Sequence, residues 1–230
     1  MKIFADRIAA GKALVPLLSE HAGRADTIVL ALPRGGVPVG FALAQALCLP
    51  LDVLVVRKLG VPGQPELAMG AIAAGGVKVL NPEIAHWLQG DAELIDAVVM
   101  REQQELERRE HLYRSGRLPL DVTGKTVIVV DDGAATGATM RAAVQTLRHK
   151  QAARIIVALP TASSEACADL RQVADQVVCV DIPEPFTAVG RWYHEFDQTR
   201  DAQVIALLAE ARAGNPVHAT CKKTDLPENS

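Results

Sequence analysis

At 230 residues the chain is long enough to bury one sizeable α/β core or two small ones. Hydrophobic residues make up 49% and aromatic residues only 3%, so that core must be built from Ala, Val, Leu and Ile, as in a buried parallel sheet flanked by helices. A net charge of −3 supplies no basic field for nucleic acid, and no run approaches the about 18 uninterrupted apolar residues that would span a membrane.

Residues 4–22 place Ile8, Leu14, Leu17 and Leu18 at helical spacing, and Pro16 predicts a kink or restart. Thr27-Ile-Val-Leu-Ala-Leu reads as a short buried strand, residues 37–47 as an Ala-rich helix, and Leu51-Asp-Val-Leu-Val-Val as a second strand. Two prolines and two glycines predict a loop over 58–68. Residues 69–74 and 77–80, on either side of Gly75-Gly76, read as a β-hairpin. Residues 82–114 form a helical insertion broken near Gly90; within it Glu105/Arg109 and Glu110/Arg114 have the favourable i,i+4 order of a solvated face, the alternative being a dimer contact or an arm over the active site. Residues 126–130 are a strand, 138–150 a helix, 154–159 and 176–180 strands with a helix at 163–172 between them, and 201–213 a last helix. The polar, turn-rich residues 214–230 are expected to be disordered.

Strands alternating with helices imply right-handed βαβ units, a mostly parallel sheet, and a ligand crevice beyond the carboxyl ends of the strands. No linker divides residues 1–213, so they read as a single domain. Cys48, Cys167, Cys179 and Cys221 form no Cys-x-x-Cys pair, and the N-terminal residues lack a signal-type apolar run. Both features point to a reduced, cytoplasmic setting.

The most informative stretch is residues 127–140, Val-Ile-Val-Val-Asp-Asp-Gly-Ala-Ala-Thr-Gly-Ala-Thr-Met. A β-branched strand presents Asp131 and Asp132 to the crevice. The turn behind them opens a helix N-terminus, whose unpaired amides and dipole suit a phosphate. Thr136 and Thr139 add hydroxyl donors. The acids can accept hydrogen bonds from vicinal hydroxyls or face a divalent cation that the ligand brings. One segment thus specifies a phosphorylated sugar. Ahead of it, Leu32-Pro-Arg-Gly-Gly-Val-Pro pairs the anion-binding fork of Arg34 with Gly35 and Gly36, whose backbone can approach an anion. The second strand runs into Arg57-Lys58, adjacent cations that invite an anionic ligand, and Glu66 follows in the same loop. Residues 181–197, Asp-Ile-Pro-Glu-Pro-Phe-Thr-Ala-Val-Gly-Arg-Trp-Tyr-His-Glu-Phe-Asp, gather aromatic side chains in a chain that has few. Flat rings at a strand end suit stacking on a heterocycle, or else pin the C-terminal helix to the sheet. His194 is the one histidine near this group.

The strand, the acid pair and the Thr-Gly-x-Thr turn resemble the phosphoribosyl-diphosphate signature of the type I phosphoribosyltransferases. Residues 1–213 as a whole resemble the branch of that family whose acceptor is unassigned, which shares the Leu-Pro-Arg-Gly-Gly-Val-Pro and Arg-Lys-Leu-Gly segments. The resemblance implies a parallel sheet flanked by helices, with a β-hairpin flexible-loop region and a small C-terminal hood near 181–197. It implies transfer of ribose 5-phosphate from phosphoribosyl diphosphate to a nitrogen nucleophile, with release of pyrophosphate and use of Mg²⁺. Asp131, Asp132, Arg57 and Lys58 take the catalytic positions, the acids meeting the metal indirectly, through ligand or water. Arg34, Gly35 and Gly36 with Ala134, Ala135, Thr136, Gly137, Ala138 and Thr139 take the donor-binding positions; Phe186, Val189, Trp192 and Tyr193 take the acceptor positions. Ala135 stands where 6-oxopurine enzymes carry an acid facing the base, which disfavours hypoxanthine and guanine. The loop after Lys58 lacks the further Lys and His of the orotate enzymes. A homodimer is the family tendency. Two other readings of the same pocket are a non-catalytic phosphoribosyl-diphosphate-binding regulator and a hydrolase or phosphorylase of a phosphorylated ribose.

Overall fold

The computed structural model describes residues 2–61, 64–73, 77–80, 92–114 and 116–213. The first helical stretch is α1 (Arg7–Leu14), opened by Asp6, whose carboxylate accepts the Ala9 N–H at 2.7 Å. Pro16 does restart it: a 3-10 helix runs over Val15–His21. Then follow β1 (Thr27–Ala31), α2 (Gly36–Leu47), β2 (Leu51–Val53), β3 (Val56–Val61), β4 (Gln64–Ala73), β5 (Val77–Leu80) and α3 (Ala92–Arg114). The second half is β6 (Thr126–Val130), α4 (Ala138–His149), β7 (Arg154–Thr161), α5 (Ser164–Arg171), β8 (Gln176–Asp181), a 3-10 turn over Val189–Trp192, and α6 (Asp201–Ala213).

Five strands form a parallel sheet in the order β2-β1-β6-β7-β8, as the βαβ alternation requires. Successive residues of its central strands alternate between two buried faces. Val29, Ala31, Ile128, Val130, Ile156 and Ala158 pack with side chains of α1, α2 and α6. Ile28, Leu30, Val127, Val129, Ile155 and Val157 pack with those of α4 and α5. Covered on both sides, these strands need continuous apolar runs, and that is why they are legible in the sequence.

The region after β2 differs from the expected loop. The chain leaves the sheet at Leu54, whose N–H still bonds Ala31 O at 3.0 Å, and β3 and β4 then pair antiparallel across 56–61 and 64–73. Taken locally, Gly60 and Pro65 argue for a loop. Register shifts on either side of Gly60 absorb the irregularity, and β5 pairs only with residues 70–73 of β4, which leaves Pro65 beyond that ladder. The expected β4–β5 hairpin is present; its Gly75-Gly76 turn, the break near Gly90 and the tail 214–230 lie outside the described residues.

The helix α3 is only half solvated. Glu105 pairs with Arg108 and Arg109 on its outer side, as its spacing predicts. Leu106 and Tyr113 are nonetheless buried, and so are Glu102 and Arg114. Arg114 reaches a buried ion pair with Asp52 of β2 and bonds Val53 O at 2.7 Å, while keeping its i,i+4 bond to Glu110 at 2.6 Å. The inner face of α3 therefore clamps the sheet edge.

Candidate active site

At the carboxyl end of β6 stand Asp131 and Asp132, half-buried. Asp131 accepts the Asp132 N–H on Oδ1 at 2.8 Å. Asp132 Oδ2 accepts from Arg7 Nε at 2.8 Å. Burial, and for Asp131 the neighbouring Asp132 charge, push both carboxyls above the usual carboxylate range; Arg7 works against that rise. Among the described residues, Asp131 Oδ2 and Asp132 Oδ1 carry no protein hydrogen bond, so one oxygen of each acid is left for a ligand.

The loop ahead of α2 meets this pair closely. Gly36 N–H bonds Leu32 O at 3.1 Å, and the Pro33–Arg34 peptide is cis. A methyl at Gly35 would lie 2.0 Å from Asp132 Oδ2, and one at Gly36 would lie 2.7 Å from Val130 O. Glycine is needed here for close approach rather than for a positive φ. Arg34 is part-exposed at this rim, with Nη1 3.8 Å from Asp201 Oδ1 at the start of α6; the same carboxylate accepts the Tyr113 hydroxyl at 2.6 Å.

Beyond the acids the chain turns into α4. Ala134 pairs with Ala162, its N–H bonding Thr161 O at 3.1 Å, and Ser163 holds the loop by N–H to Ala134 O and hydroxyl to Ala135 O (3.0 and 2.7 Å). Gly137 takes φ +69°, which suits glycine, and no side chain caps the helix. The Thr136 hydroxyl meets the Ala138 N–H only at 3.5 Å, and Thr136 and Thr139 are both exposed. An open first turn of this kind is a ready anion cradle.

The structure thus gathers Arg34, Gly35, Gly36, Asp131 and Asp132 with the loop of Ala134, Ala135, Thr136, Gly137, Ala138 and Thr139. Arg57 and Lys58 lie on β3, in the hairpin. Arg57 is not a bare cation: its Nε bonds Glu102 of α3 at 2.8 Å and its Nη2 bonds the same carboxylate oxygen, leaving Nη1 as the guanidinium end not held by Glu102. Glu66 lies on β4, with its side chain outside the described residues.

The hood buries two of the residues expected at the acceptor positions. Trp192 and Tyr193 are each 6% exposed and pack with Phe4 and Ala10, so neither offers a ring face to an acceptor. The Tyr193 hydroxyl instead donates to Asp132 O at 2.5 Å, and burial pushes its pKa up. Phe186 stacks on Trp192 at 6.2 Å and keeps partial exposure; Val189 crowds Gly133, where a Cβ would lie 2.6 Å from its methyl. His194 is exposed, and its backbone N–H bonds Phe4 O.

Sequence reasoning missed Arg7, Glu102 and Ser163. A lone Arg in the first turn of a helix 125 positions from its carboxylate partner carries no spacing signal, and an acid inside a charge-dense helix looks solvated.

A family model described as phosphoribosyl transferase domain matches residues 5–190, a span holding Arg7, the Gly35–Gly36 turn, the acid pair and the loop behind it. The chain belongs to this family. Two Mycobacterium tuberculosis proteins, from strains CDC 1551 and H37Rv, the second named "Putative phosphoribosyl transferase Rv0571c", are 47% identical over 211 residues, or 92% of this chain. The chain spans about half the length of these relatives, 47%. The crystal structure of TT1426 from Thermus thermophilus superposes with a TM-score of 0.80 at 40% identity, covering 91% of this chain and 99% of that one. The phosphoribosyl transferase domain has the parallel sheet and flanking helices that its sequence implied. No helix among the described residues is long and apolar enough to cross a membrane.

Proposed function

We propose that this phosphoribosyl transferase domain moves ribose 5-phosphate from phosphoribosyl diphosphate to a nitrogen nucleophile, a nucleobase-like heterocycle, releasing pyrophosphate. The observation that carries the reading is the pairing of two free carboxylate oxygens at the end of β6 with the uncapped helix N-terminus that closely follows them. Vicinal hydroxyls need the first, and a 5′-phosphate needs the second.

In this reading Asp131 Oδ2 and Asp132 Oδ1 accept from the ribose hydroxyls and face the cationic character that develops on the ring. The amides of residues 134–139 and the Thr136 and Thr139 hydroxyls hold the 5′-phosphate. Arg34 and the Gly35–Gly36 backbone hold the diphosphate, with Arg57 Nη1 and Lys58 reaching it from the hairpin. Phe186 and Val189 border the acceptor. Catalysis rests on positioning and on stabilising the departing anion, with no covalent step on a side chain.

Mg²⁺ fits this donor set. The free oxygens are hard carboxylate ligands, and two of them suit a cation that arrives on diphosphate and water rather than in a protein cage. Among the described residues no cluster of three or more His, Cys, Asp or Glu side chains could hold a metal. Bound there, Mg²⁺ would neutralise diphosphate charge. A homodimer and a cytoplasmic location belong to the same proposal.

The test is calorimetric titration with phosphoribosyl diphosphate and Mg²⁺, then a screen of nitrogen heterocycles for acceptor-dependent pyrophosphate release. Absence of donor binding would sink the proposal. Donor binding without acceptor-dependent release would favour a regulator, and release without any acceptor a hydrolase. Ordinary turnover of hypoxanthine would overturn the inference from Ala135.

A further inference from the structure

Arg7 is the residue of this site that the motif does not contain. Its side chain is 11% exposed and held at three points. Nε donates to Asp132 Oδ2 at 2.8 Å, Nη1 donates to Asp197 O at 2.7 Å, and the guanidinium lies 3.9 Å from the centre of the Phe196 ring. The Tyr193 hydroxyl holds the carbonyl of the same Asp132. One aspartate is therefore fixed at both its side chain and its backbone, by α1 and by the hood. Oδ2 of that aspartate is also the atom that Gly35 crowds.

These contacts decide which oxygens face a ligand. With Oδ2 of Asp132 bonded by Arg7 and Oδ1 of Asp131 bonded by the Asp132 amide, one oxygen of each acid is without a hydrogen bond among the described residues. A planar guanidinium stacked on a ring can hold a carboxylate in one orientation, which a flexible ammonium cannot. We propose that Arg7 is a positioning residue: it orients Asp132 so that the acid pair presents two acceptors to two vicinal hydroxyls, and it ties that orientation to residues 193–197 of the hood. The inference rests on the phosphoribosyl reading of the site.

Two probes separate the parts of the pocket. Ribose 5-phosphate engages both the acids and the phosphate loop; inorganic phosphate engages only the anion-binding parts of the pocket, the 134–139 loop or the Arg34–Gly36 turn, and offers no vicinal hydroxyls to the acids. Arg7→Met should weaken ribose 5-phosphate binding by about tenfold while inorganic phosphate binding is unchanged. Asp132→Asn should do the same, and the double variant should be no worse than either single one, because Arg7 acts through Asp132. Guanidinium ion added to Arg7→Ala should restore part of the sugar-phosphate affinity. If Arg7→Met does not fold, Arg7→Lys replaces it, with the same selective loss expected. Wild-type discrimination between the two probes in the Arg7 variant, or losses that add in the double variant, would overturn the role while leaving the phosphoribosyl reading intact. Wild-type protein that binds phosphate but gains nothing from the ribose would overturn both.

Discussion

Gly35→Ala tests the geometry of the acid pair most directly. Gly35 has φ −61° and ψ −34°, a conformation alanine adopts freely, so any loss comes from the added methyl and not from the backbone. That methyl would lie 2.0 Å from Asp132 Oδ2 and 2.6 Å from its Cγ, whereas real contacts of this kind do not fall below 3.0 Å. The carboxylate or the loop must withdraw by about 1 Å. The 2.8 Å bond from Arg7 cannot survive such a shift unchanged. Overpacking of this kind costs about 1–3 kcal/mol, and each kcal/mol lowers Tm by about 2–4 °C for a domain of this size. Misplacing an acceptor of a hydrogen bond to a charged group costs about 1.5–3 kcal/mol, so donor affinity should fall by about tenfold to a hundredfold. Calorimetric titration with phosphoribosyl diphosphate and thermal unfolding would measure the two effects. A Gly35→Ala protein with wild-type donor affinity and wild-type Tm would refute the close approach of the loop to the acids.

Asp132→Asn should lower donor affinity or turnover by at least ~10-fold, about 1.4 kcal/mol, read by titration and by pyrophosphate release. Arg114→Met should cost about 3–5 kcal/mol of stability in denaturant unfolding, because it leaves Asp52 buried without its main cation; replacing Asp52 by Asn as well should recover part of that loss. Tyr113 is 1% exposed, and burial with its bond to Asp201 pushes its pKa up to about 12. The unfolded chain ionises this phenol near pH ~10, so the stability it contributes is complete below that pH and is lost as pH rises towards about 12, by about 2–3 kcal/mol. In urea titrations between these pH values, wild-type stability should therefore fall faster than that of Tyr113→Phe, and parallel curves would contradict the burial argument.

Local physics determined much of this protein without any fold. The apolar runs of β1, β6 and β7, the acids ending β6, and the Thr-Gly turn opening α4 each involve neighbouring residues whose periodicity or backbone need is written into a short stretch. The hairpin is half legible: Gly60 and Pro65 read as a loop because the register shifts on either side of Gly60 leave no local sign of the pairing between β3 and β4. Distant partnerships had no sequence signal at all. Arg7 finds Asp132, Glu102 takes hold of Arg57, and Tyr193 turns its hydroxyl to Asp132 O instead of offering its ring, because packing α1, α3 and the hood onto one sheet brings these groups together. Chemistry that depends on adjacency along the chain could be read from the residues; chemistry that depends on adjacency in space was decided only when the core closed.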